Sequence, residues 1–338
     1  MSERRFRERR KHWARGGRSA ALLGLLTLVL SGCSANDWEK ALRWGFPTGV
    51  TKQAREIRVL WTWSGVTALA LGCVVWGLIF WCCIRYRRRS EDQMPRQTKY
   101  NFAVEAFCFT FPFLIIAGLF YGTVRVEDDV NHLSADPQVQ VQVDAFKWNW
   151  QFEYHTYRDA KTGPSTEAVY TDAAGKPRNN PAYPDLPFYL STVGSQDEIP
   201  VLVIPINHSV QIDEHSLDVI HSFWVPEFLF KRDVIPWGTS STKHDNKFEI
   251  TATTMGSFVG RCAELCGTYH SQMNFEVRVV SWKTFTAYMN ALKAIGPDDP
   301  LRQAKALAQA GMKPYATTTY PFDTNRYARR ASTKPTEQ

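Results

Sequence analysis

Two thiols, an imidazole and a thioether lie within one short loop. Cys262 and Cys266 are four residues apart, His270 is four residues further on, and Met273 follows three residues later. Soft sulfur ligands combined with imidazole suit copper, and such a set is typical of proteins in which copper carries electrons. The loop formed by residues 261–273 therefore predicts an electron-transfer copper site.

The number of metal ions depends on how the two thiols are used. A mononuclear blue-copper site needs two imidazoles, one thiolate and a weak axial thioether. A second thiolate changes the expected number of metal ions, because two thiolates can bridge two copper ions. Each copper ion then needs one imidazole. The loop supplies only His270, so another histidine must come from elsewhere. His221, at the end of a predicted strand, is the best candidate, although a lone histidine among apolar residues is more often a core residue.

Composition favours one ordinary domain attached to membrane segments. The chain has 338 residues, and much of its 44% hydrophobic content lies in three apolar runs near the N-terminus. The net charge of +7 suggests nucleic-acid binding, but residues 1–32 carry eight Lys and Arg against two Glu, which leaves +1 for the remainder. Nucleic acid is therefore rejected as a partner. Seven cysteines are too few and too unevenly placed for a disulfide scaffold.

The N-terminus has the organisation of a secretory signal. A basic region precedes an apolar run at residues 20–30 that is too short to span a bilayer. Leu30-Ser31-Gly32-Cys33 follows and resembles the bacterial lipobox, at which cleavage exposes a cysteine for acylation. We therefore expect residues 1–32 to be removed and Cys33 to be lipid-anchored at the outer face. An ordinary signal peptide or an uncleaved anchor is the alternative.

Two longer apolar runs predict a transmembrane hairpin over residues 58–126, preceded by an external segment at 33–57. Its helices are expected at about 59–84 and 102–124, each long enough to span a bilayer. The connecting loop, 85–101, is rich in arginine and is cytoplasmic by the positive-inside rule. Both flanks of the hairpin are then external, as the lipobox requires.

The sequence changes to a strand pattern over residues 137–282. Val139, Val141 and Val143 alternate with polar residues, which is the period-2 signature of a half-buried strand. Further strands are expected at 146–154, 200–206, 210–212, 247–252, 257–261 and 275–281. Short strands without helices between them argue for a β-sandwich or a small barrel.

Two segments do not follow this pattern. Residues 156–198 form a long polar stretch without clear periodicity, so we expect an insertion that is functional or partly disordered. Residues 283–338 are expected to begin with a helix that reaches about Ala310 and to end in an unstructured polar tail.

These stretches together resemble subunit II of the haem–copper cytochrome c oxidases, in a bacterial form. The resemblance rests on residues 218–226, residues 260–273, the aromatic cluster at 148–154, and Val104-Glu105 in the second hairpin helix. The spacing Cys-x-Glu-x-x-Cys-x-x-x-His-x-x-Met, preceded by His-Ser-Phe-Trp-Val-Pro, is highly specific. The matching stretches occur in the family's order and within its architecture.

The resemblance implies a binuclear copper A centre in a cupredoxin-like, Greek-key external domain. The implied ligands are two bridging thiolates, two terminal imidazoles and two weak ligands, namely Cys262, Cys266, His221, His270, Met273 and the backbone carbonyl of Glu264. The family also uses the side chain at the position of Glu264 for a magnesium ion shared with subunit I. A carboxylate oxygen suits such a hard cation.

Two further residues acquire roles through the resemblance. Trp148 matches the exposed tryptophan at which the electron enters, although an aromatic that alternates with Trp150 and Phe152 can equally be a core residue. Glu105 matches a carboxylate at the cytoplasmic mouth of a proton path. An ionisable residue inside a membrane segment is a functional candidate by default, although Glu105 can instead reach the interface from a helix end.

The implied function is electron transfer from cytochrome c, or from a membrane-anchored c-type cytochrome, to haem in subunit I. There oxygen is reduced to water and protons are pumped. Subunits I and III are the implied partners, within a larger assembly with a cytochrome bc complex or without it. The chain departs from the family in having Asn274 where proline is usual, and it has no Cys-x-x-Cys-His motif for a haem of its own.

Three other interpretations remain open at this point. A quinol-oxidase subunit has the same fold without copper, but the ligands here are intact. A copper chaperone or storage lipoprotein would hold Cu(I) without redox work, but it would need only one membrane anchor. Finally, Cys262 and Cys266 could form a structural disulfide.

Overall fold

The computed structural model describes residues 43–88, 90, 94, 97–160, 163–195, 197–236 and 246–318. The predicted signal peptide and Cys33 lie outside these residues, and so does the chain from residue 319 onward. Residues 43–46 form a turn of their own, in which Phe46 N donates to the Arg43 carbonyl at 3.0 Å. The chain from Pro47 onward belongs to one compact unit.

The described part of the chain begins with two long apolar helices after the short segment 43–51, α1 (Lys52–Arg85) and α2 (Phe102–Asn131). Both are long and apolar enough to cross a membrane, and their apolar segments bury no side chain within the chain itself. The Thr51 hydroxyl caps α1 by accepting a hydrogen bond from Ala54 N at 3.0 Å. The helix starts at Lys52 instead of about 59, and α2 ends at Asn131 instead of about 124, because apolar sequence marks only the part inside hydrocarbon.

Eleven strands follow within the described residues and form two sheets. In chain order they are β1 (Val139–Phe146), β2 (Asn149–Tyr157), β3 (Thr166–Glu167), β4 (Leu190–Val193), β5 (Val201–Pro205), β6 (Ser209–Ser216), β7 (His221–Val225), β8 (Phe230–Val234), β9 (Lys247–Thr251), β10 (Gly256–Cys262) and β11 (Asn274–Val280). One sheet has the order β3-β2-β1-β6-β9, with β4 also paired to β2, and the other has the order β5-β11-β10-β7-β8.

An apolar and aromatic core fills the space between the sheets. Trp150 is fully buried, and its ring centroid lies 6.0 Å from that of Phe223 and 5.1 Å from that of Phe275. The pairs β1–β6 and β5–β11 are parallel and the remaining pairs are antiparallel. The predicted sequence of two membrane helices and a β-sandwich is therefore confirmed.

The β-domain is joined to the outer end of the helix pair by short hydrogen bonds. Val50 N donates to the Glu227 carbonyl at 3.0 Å, and Thr253 N donates to the Val50 carbonyl at 2.7 Å. On the other helix, the Arg232 guanidinium donates to Asn131 Oδ1 at 2.9 Å. Contacts from Val50, just before α1, and from Asn131, the last residue of α2, therefore fix the domain against the hairpin.

The stretch at 156–198 is folded wherever the structure describes it, so the expectation of partial disorder is wrong there. Ala168 and Tyr170 are buried, and β4 pairs with β2 along its whole length. The Tyr189 ring stacks on His155 with centroids 4.2 Å apart. The strands β3 and β4 of this stretch are two and four residues long, which is too short to give a periodic sequence pattern.

The C-terminal region also differs from the expected helix and loose tail. It forms two helices, α3 (Trp282–Ile295) and α4 (Arg302–Gln309), separated by Gly296, which has a positive φ of 85°, and by the following proline. Residues 311–318 then run along β11. The buried Glu276 carboxylate accepts hydrogen bonds from Thr317 N and Thr318 N at 2.5 and 2.9 Å. These contacts are between residues far apart in sequence, which a local pattern does not reveal.

Candidate metal centre

The predicted copper loop connects two antiparallel strands of the second sheet. Strand β10 ends at Cys262 and β11 begins immediately after Met273, and Cys262 N donates to the Met273 carbonyl at 3.0 Å. Strand β7 lies on the other side of β10, with Phe223 paired to Cys262. This register brings His221 to the loop, although the two are about forty positions apart in the sequence.

Each sulfur of the cysteine pair has its own imidazole and its own weak donor. The Sγ atoms of Cys262 and Cys266 are 3.8 Å apart, which is far longer than a disulfide bond of about 2 Å. Cys262 Sγ lies 3.9 Å from His221 Nδ1 and 3.2 Å from the Glu264 carbonyl oxygen. Cys266 Sγ lies 3.5 Å from His270 Nδ1 and 3.8 Å from Met273 Sδ. The six donors are therefore two sulfurs and, beside each sulfur, one imidazole nitrogen and one weak donor.

Four of the six donor residues are shielded from water, whereas His270 is half-buried and Glu264 is exposed. His221 and Met273 are fully buried, and Cys262 and Cys266 are 7% and 4% exposed. Within the described part of the chain, His221, Cys262 and Cys266 are the one group of His, Cys, Asp or Glu ligand atoms close enough to hold a metal ion. Buried soft ligands of this kind fit copper well.

Asp218 fixes the orientation of the His221 ring. Its Oδ1 atom lies 2.8 Å from His221 Nε2 and accepts from Val219 N at 2.6 Å, while Oδ2 accepts from Lys147 N at 2.7 Å. With Nε2–H engaged, Nδ1 is left facing the cysteines, which is the usual way of selecting the ligating nitrogen.

The electrostatics of this pair favour a neutral imidazole beside a carboxylate. Burial, opposed by the hydrogen bond to Asp218, lowers the pKa of His221. For Asp218, burial acts to raise the pKa, but the hydrogen bonds from His221, Lys147 N and Val219 N outweigh it and lower the pKa. His221 is therefore ready to donate its Nδ1 lone pair at neutral pH.

Unlike the pKa of His221, the pKa of the Cys266 thiol is raised when no metal is bound. Burial and the neighbouring Cys262 both raise the pKa of Cys266 above its ordinary value. The thiol therefore holds its proton until a cation compensates the thiolate, so metal binding is expected to release protons.

Trp148 lies directly against the copper loop. It occupies the turn between β1 and β2, is half-buried, and donates its indole N–H to the Cys266 carbonyl at 3.1 Å. The Tyr269 ring contacts it edge-on with centroids 4.9 Å apart. Gly267 has a φ of 115°, and a Cβ there would lie 3.3 Å from the indole. Trp150 and Phe152, by contrast, are fully buried core residues.

Sequence reasoning gave no role to two residues that support the loop. Trp150 donates its indole N–H to the Met273 carbonyl at 3.3 Å, and Asp218 holds His221 as described. Asp218 stands three residues before the histidine, which is a spacing that could have indicated it. Nothing in the sequence distinguishes Trp150 from an ordinary core aromatic.

The remaining predicted site residues lie elsewhere. Glu264 is exposed, so its side chain is accessible from outside the chain while its carbonyl faces Cys262. Glu105 lies in the first turn of α2, far from the copper loop. Its carboxylate accepts from Asn101 N at 3.0 Å, and Asn101 Oδ1 accepts from Val104 N at 3.3 Å. This reciprocal cap gives Glu105 a structural role whether or not it conducts protons.

Known proteins resemble this chain over most of its length. Residues 139–280 match the family described as cytochrome c oxidase subunit II, periplasmic domain. The chain is 43% identical to a probable cytochrome c oxidase subunit 2 of Nocardia farcinica, over 94% of this chain and 90% of the relative. It is 41% identical to cytochrome c oxidase subunit 2 of Mycobacterium bovis, over 91% and 88% of the two chains.

Solved structures give a more distant likeness. The periplasmic domain of subunit II of the cytochrome oxidase of Bradyrhizobium japonicum is 24% identical, with a TM-score of 0.32, over 48% of this chain and 99% of that domain. Together with the family match, the two apolar helices and the two-sheet domain confirm the predicted arrangement of a membrane hairpin and a cupredoxin-like external domain.

Proposed function

Because the chain belongs to the cytochrome c oxidase subunit II family, we propose that it holds a binuclear copper A centre through which electrons pass from cytochrome c to haem in subunit I. At the coarser level, the chain is a membrane-bound subunit of a haem–copper oxidase with an external domain.

The proposal rests on one observation, namely that each of the two neighbouring sulfurs has its own imidazole nitrogen. Two sulfurs 3.8 Å apart are flanked by His221 Nδ1 on one side and His270 Nδ1 on the other, each at 3.5 to 3.9 Å from its sulfur. A mononuclear site would gather its ligands around one point and would leave one thiol unused. When bound, a thiolate-bridged copper pair exchanges one electron with little change in geometry.

Trp148 provides the proposed point at which the electron enters. One side of its indole is accessible to a partner, and its N–H is bonded to the carbonyl of Cys266. The electron can therefore pass from the ring through one hydrogen bond to the backbone of a bridging cysteine. Tyr269, which is 50% exposed, extends the same surface and braces the indole edge-on.

The other residues keep the site dry and fixed. Trp150 and Cys262 N both bond to the Met273 carbonyl, so the end of the loop is held from two sides. Asp218 holds His221 from outside. Rigid and water-excluded ligands reduce the reorganisation that accompanies electron transfer, since few dipoles have to move.

The proposal extends to the surroundings of the site. With loop 85–101 in the cytoplasm, Glu105 lies at the inner membrane face, where the family has the mouth of its proton path. The exposed Glu264 carboxylate is available for a magnesium ion shared with subunit I. Removal of residues 1–32, acylation of Cys33, contacts with subunits I and III, and a c-type cytochrome as donor complete the proposed arrangement.

Copper analysis of the purified oxidase tests the ligand assignment. We expect two copper ions per chain at this centre and near-infrared absorption from the pair, both lost in Cys266→Ser. The matched control is Cys108→Ser, which replaces an exposed cysteine of α2 and should leave both signals intact. Wild-type protein without near-infrared absorption would instead support a copper-free quinol-oxidase subunit.

A further inference from the structure

A polar cavity of about 250 Å³ lies beside the points at which both membrane helices meet the β-domain. Its lining has no apolar side chain and consists of one amine, two carboxylates, two amides and three hydroxyls. The amine belongs to Lys52, the first residue of α1, and one hydroxyl belongs to Ser134, three residues beyond the end of α2. None of the copper ligands contributes to this cavity.

The cavity lies close to the outer lipid headgroups. The apolar sequence of α2 ends near Val124, and the seven residues from there to Asn131 add about 10 Å of helix. The headgroup layer extends about 5 to 8 Å beyond the hydrocarbon on each side of a bilayer. The cavity, which is lined by residues just beyond these helix ends, therefore lies within a few Å of that layer.

Three lining groups keep unused bonding capacity within the described part of the chain. Glu249 is only 8% exposed, and its Oε2 accepts from Ser134 N at 2.9 Å and from Ser134 Oγ at 2.5 Å, whereas Oε1 makes no hydrogen bond. Among the described residues, none bonds to the hydroxyl of Thr251, which is 7% exposed, or to the ammonium of Lys52, which is solvent-exposed. Asp136 differs from them because it is ion-paired with Arg158.

The cavity thus presents one free cation and one free carboxylate oxygen to the same space. A ligand that satisfies both must carry an anion and a hydrogen-bond-donating cation. We propose that this cavity binds the phosphoethanolamine headgroup of a membrane lipid. Its phosphate contacts Lys52 at the N-terminus of α1, where the helix dipole favours an anion, and its ammonium donates to Glu249 Oε1 and the Thr251 hydroxyl.

Other common headgroups fit less well for definite reasons. The trimethylated ammonium of phosphocholine has no N–H and cannot satisfy Glu249 Oε1. A purely anionic headgroup such as phosphoglycerol offers no cation and brings its charge near that carboxylate. Discrimination between ethanolamine and choline is therefore the property that distinguishes this site from general attraction of lipids to a basic helix end.

The test uses the complete oxidase, delipidated in detergent and then exposed to equal amounts of phosphatidylethanolamine, phosphatidylcholine and phosphatidylglycerol. Native mass spectrometry counts the lipids that stay bound. We expect phosphatidylethanolamine to be retained about tenfold over phosphatidylcholine, since at least one charge-assisted hydrogen bond is at stake. Lys52→Ala and Glu249→Gln should each retain about tenfold less phosphatidylethanolamine than the wild type. An unchanged copper spectrum checks that each variant is folded.

Arg55→Ala is the matched control, because Arg55 is an exposed cation of the first turns of α1 that does not line the cavity. It should retain the lipid as the wild type does. Equal retention of phosphatidylcholine, or equal loss in Arg55→Ala and Lys52→Ala, would overturn the proposal. So would binding of soluble phosphoethanolamine without retention of the lipid, because the occupant would then not come from the membrane.

Discussion

Replacing Asp218 with alanine removes three hydrogen bonds that surround the proposed ligand His221. The carboxylate lies 2.8 Å from His221 Nε2 and accepts from Val219 N at 2.6 Å and from Lys147 N at 2.7 Å. The His221 ring would then be free to rotate, and the turn that carries Trp148 would lose the bond from Lys147 N while keeping the bond from the Trp148 indole to the Cys266 carbonyl. We expect weaker copper binding and a slower electron transfer in the same variant.

The size of the effect follows from the bonds that are lost. A hydrogen bond to a charged group contributes about 1.5 to 3 kcal/mol, and a carboxylate that orients a metal-bound histidine contributes about 10- to 100-fold in metal affinity. Asp218→Asn should fall between wild type and Asp218→Ala. Its Oδ1 can still accept from His221, but its amide N–H would oppose the Lys147 N–H.

The assay is the copper that remains on the purified oxidase across a series of chelator concentrations. The chelator concentration for half-loss should fall about 10- to 100-fold in Asp218→Ala. Asp185→Ala, which removes an exposed carboxylate of the insertion, controls for the loss of charge alone. Copper retention by Asp218→Ala within twofold of the wild type would refute the orienting role assigned to this residue.

Three further predictions concern separate features of the domain. Trp148→Ala should leave the copper spectrum intact and slow the oxidation of cytochrome c, because the hydrogen bond to the Cys266 carbonyl is lost. If stopped-flow kinetics showed oxidation at the wild-type rate, the electron would enter at another residue. Gly260→Ala should lower the thermal midpoint and destabilise the domain by about 1 to 3 kcal/mol, since a Cβ there would lie 2.1 Å from the Phe275 ring. Burial raises the pKa of Asp144 from 3.8 to about 6, so this group favours folding less as pH rises from 3.8 through 6. Asp144→Asn should therefore stabilise the protein by up to about 3 kcal/mol above pH 6 and have little effect below pH 4, as judged by denaturant unfolding at both pH values.

The sequence indicated a set of candidate metal donors, which the structure brings together, because metal chemistry constrains residue type and spacing together. Cys262, Cys266, His270 and Met273 are within one loop. Counting the imidazoles showed that a binuclear site needs a second histidine, and His221 was the best candidate because it ends a predicted strand; the register of β7 against β10 brings it to the loop. The supporting contacts were not predictable in the same way. Trp150 supports Met273 through a hydrogen bond between residues 123 positions apart, and such a contact leaves no local pattern.

The same distinction explains the errors in the fold. The apolar runs indicated the membrane helices, but their ends at Lys52 and Asn131 depend on caps and on contacts with the β-domain. The insertion and the segment after α4 are polar, yet both are ordered where described, because buried aromatic and carboxylate groups hold them. Polarity alone therefore did not distinguish a loose segment from one fixed by tertiary contacts.

Electron paramagnetic resonance of the oxidised complex tests the central claim most directly. If Cys262 and Cys266 bridge two copper ions, with His221 and His270 as terminal ligands, one unpaired electron is shared equally by two copper nuclei. The spectrum should then show a seven-line hyperfine pattern that disappears in Cys266→Ser. A four-line pattern would indicate a mononuclear site, and a silent spectrum would indicate a Cu(I) carrier; either result would contradict the proposed centre.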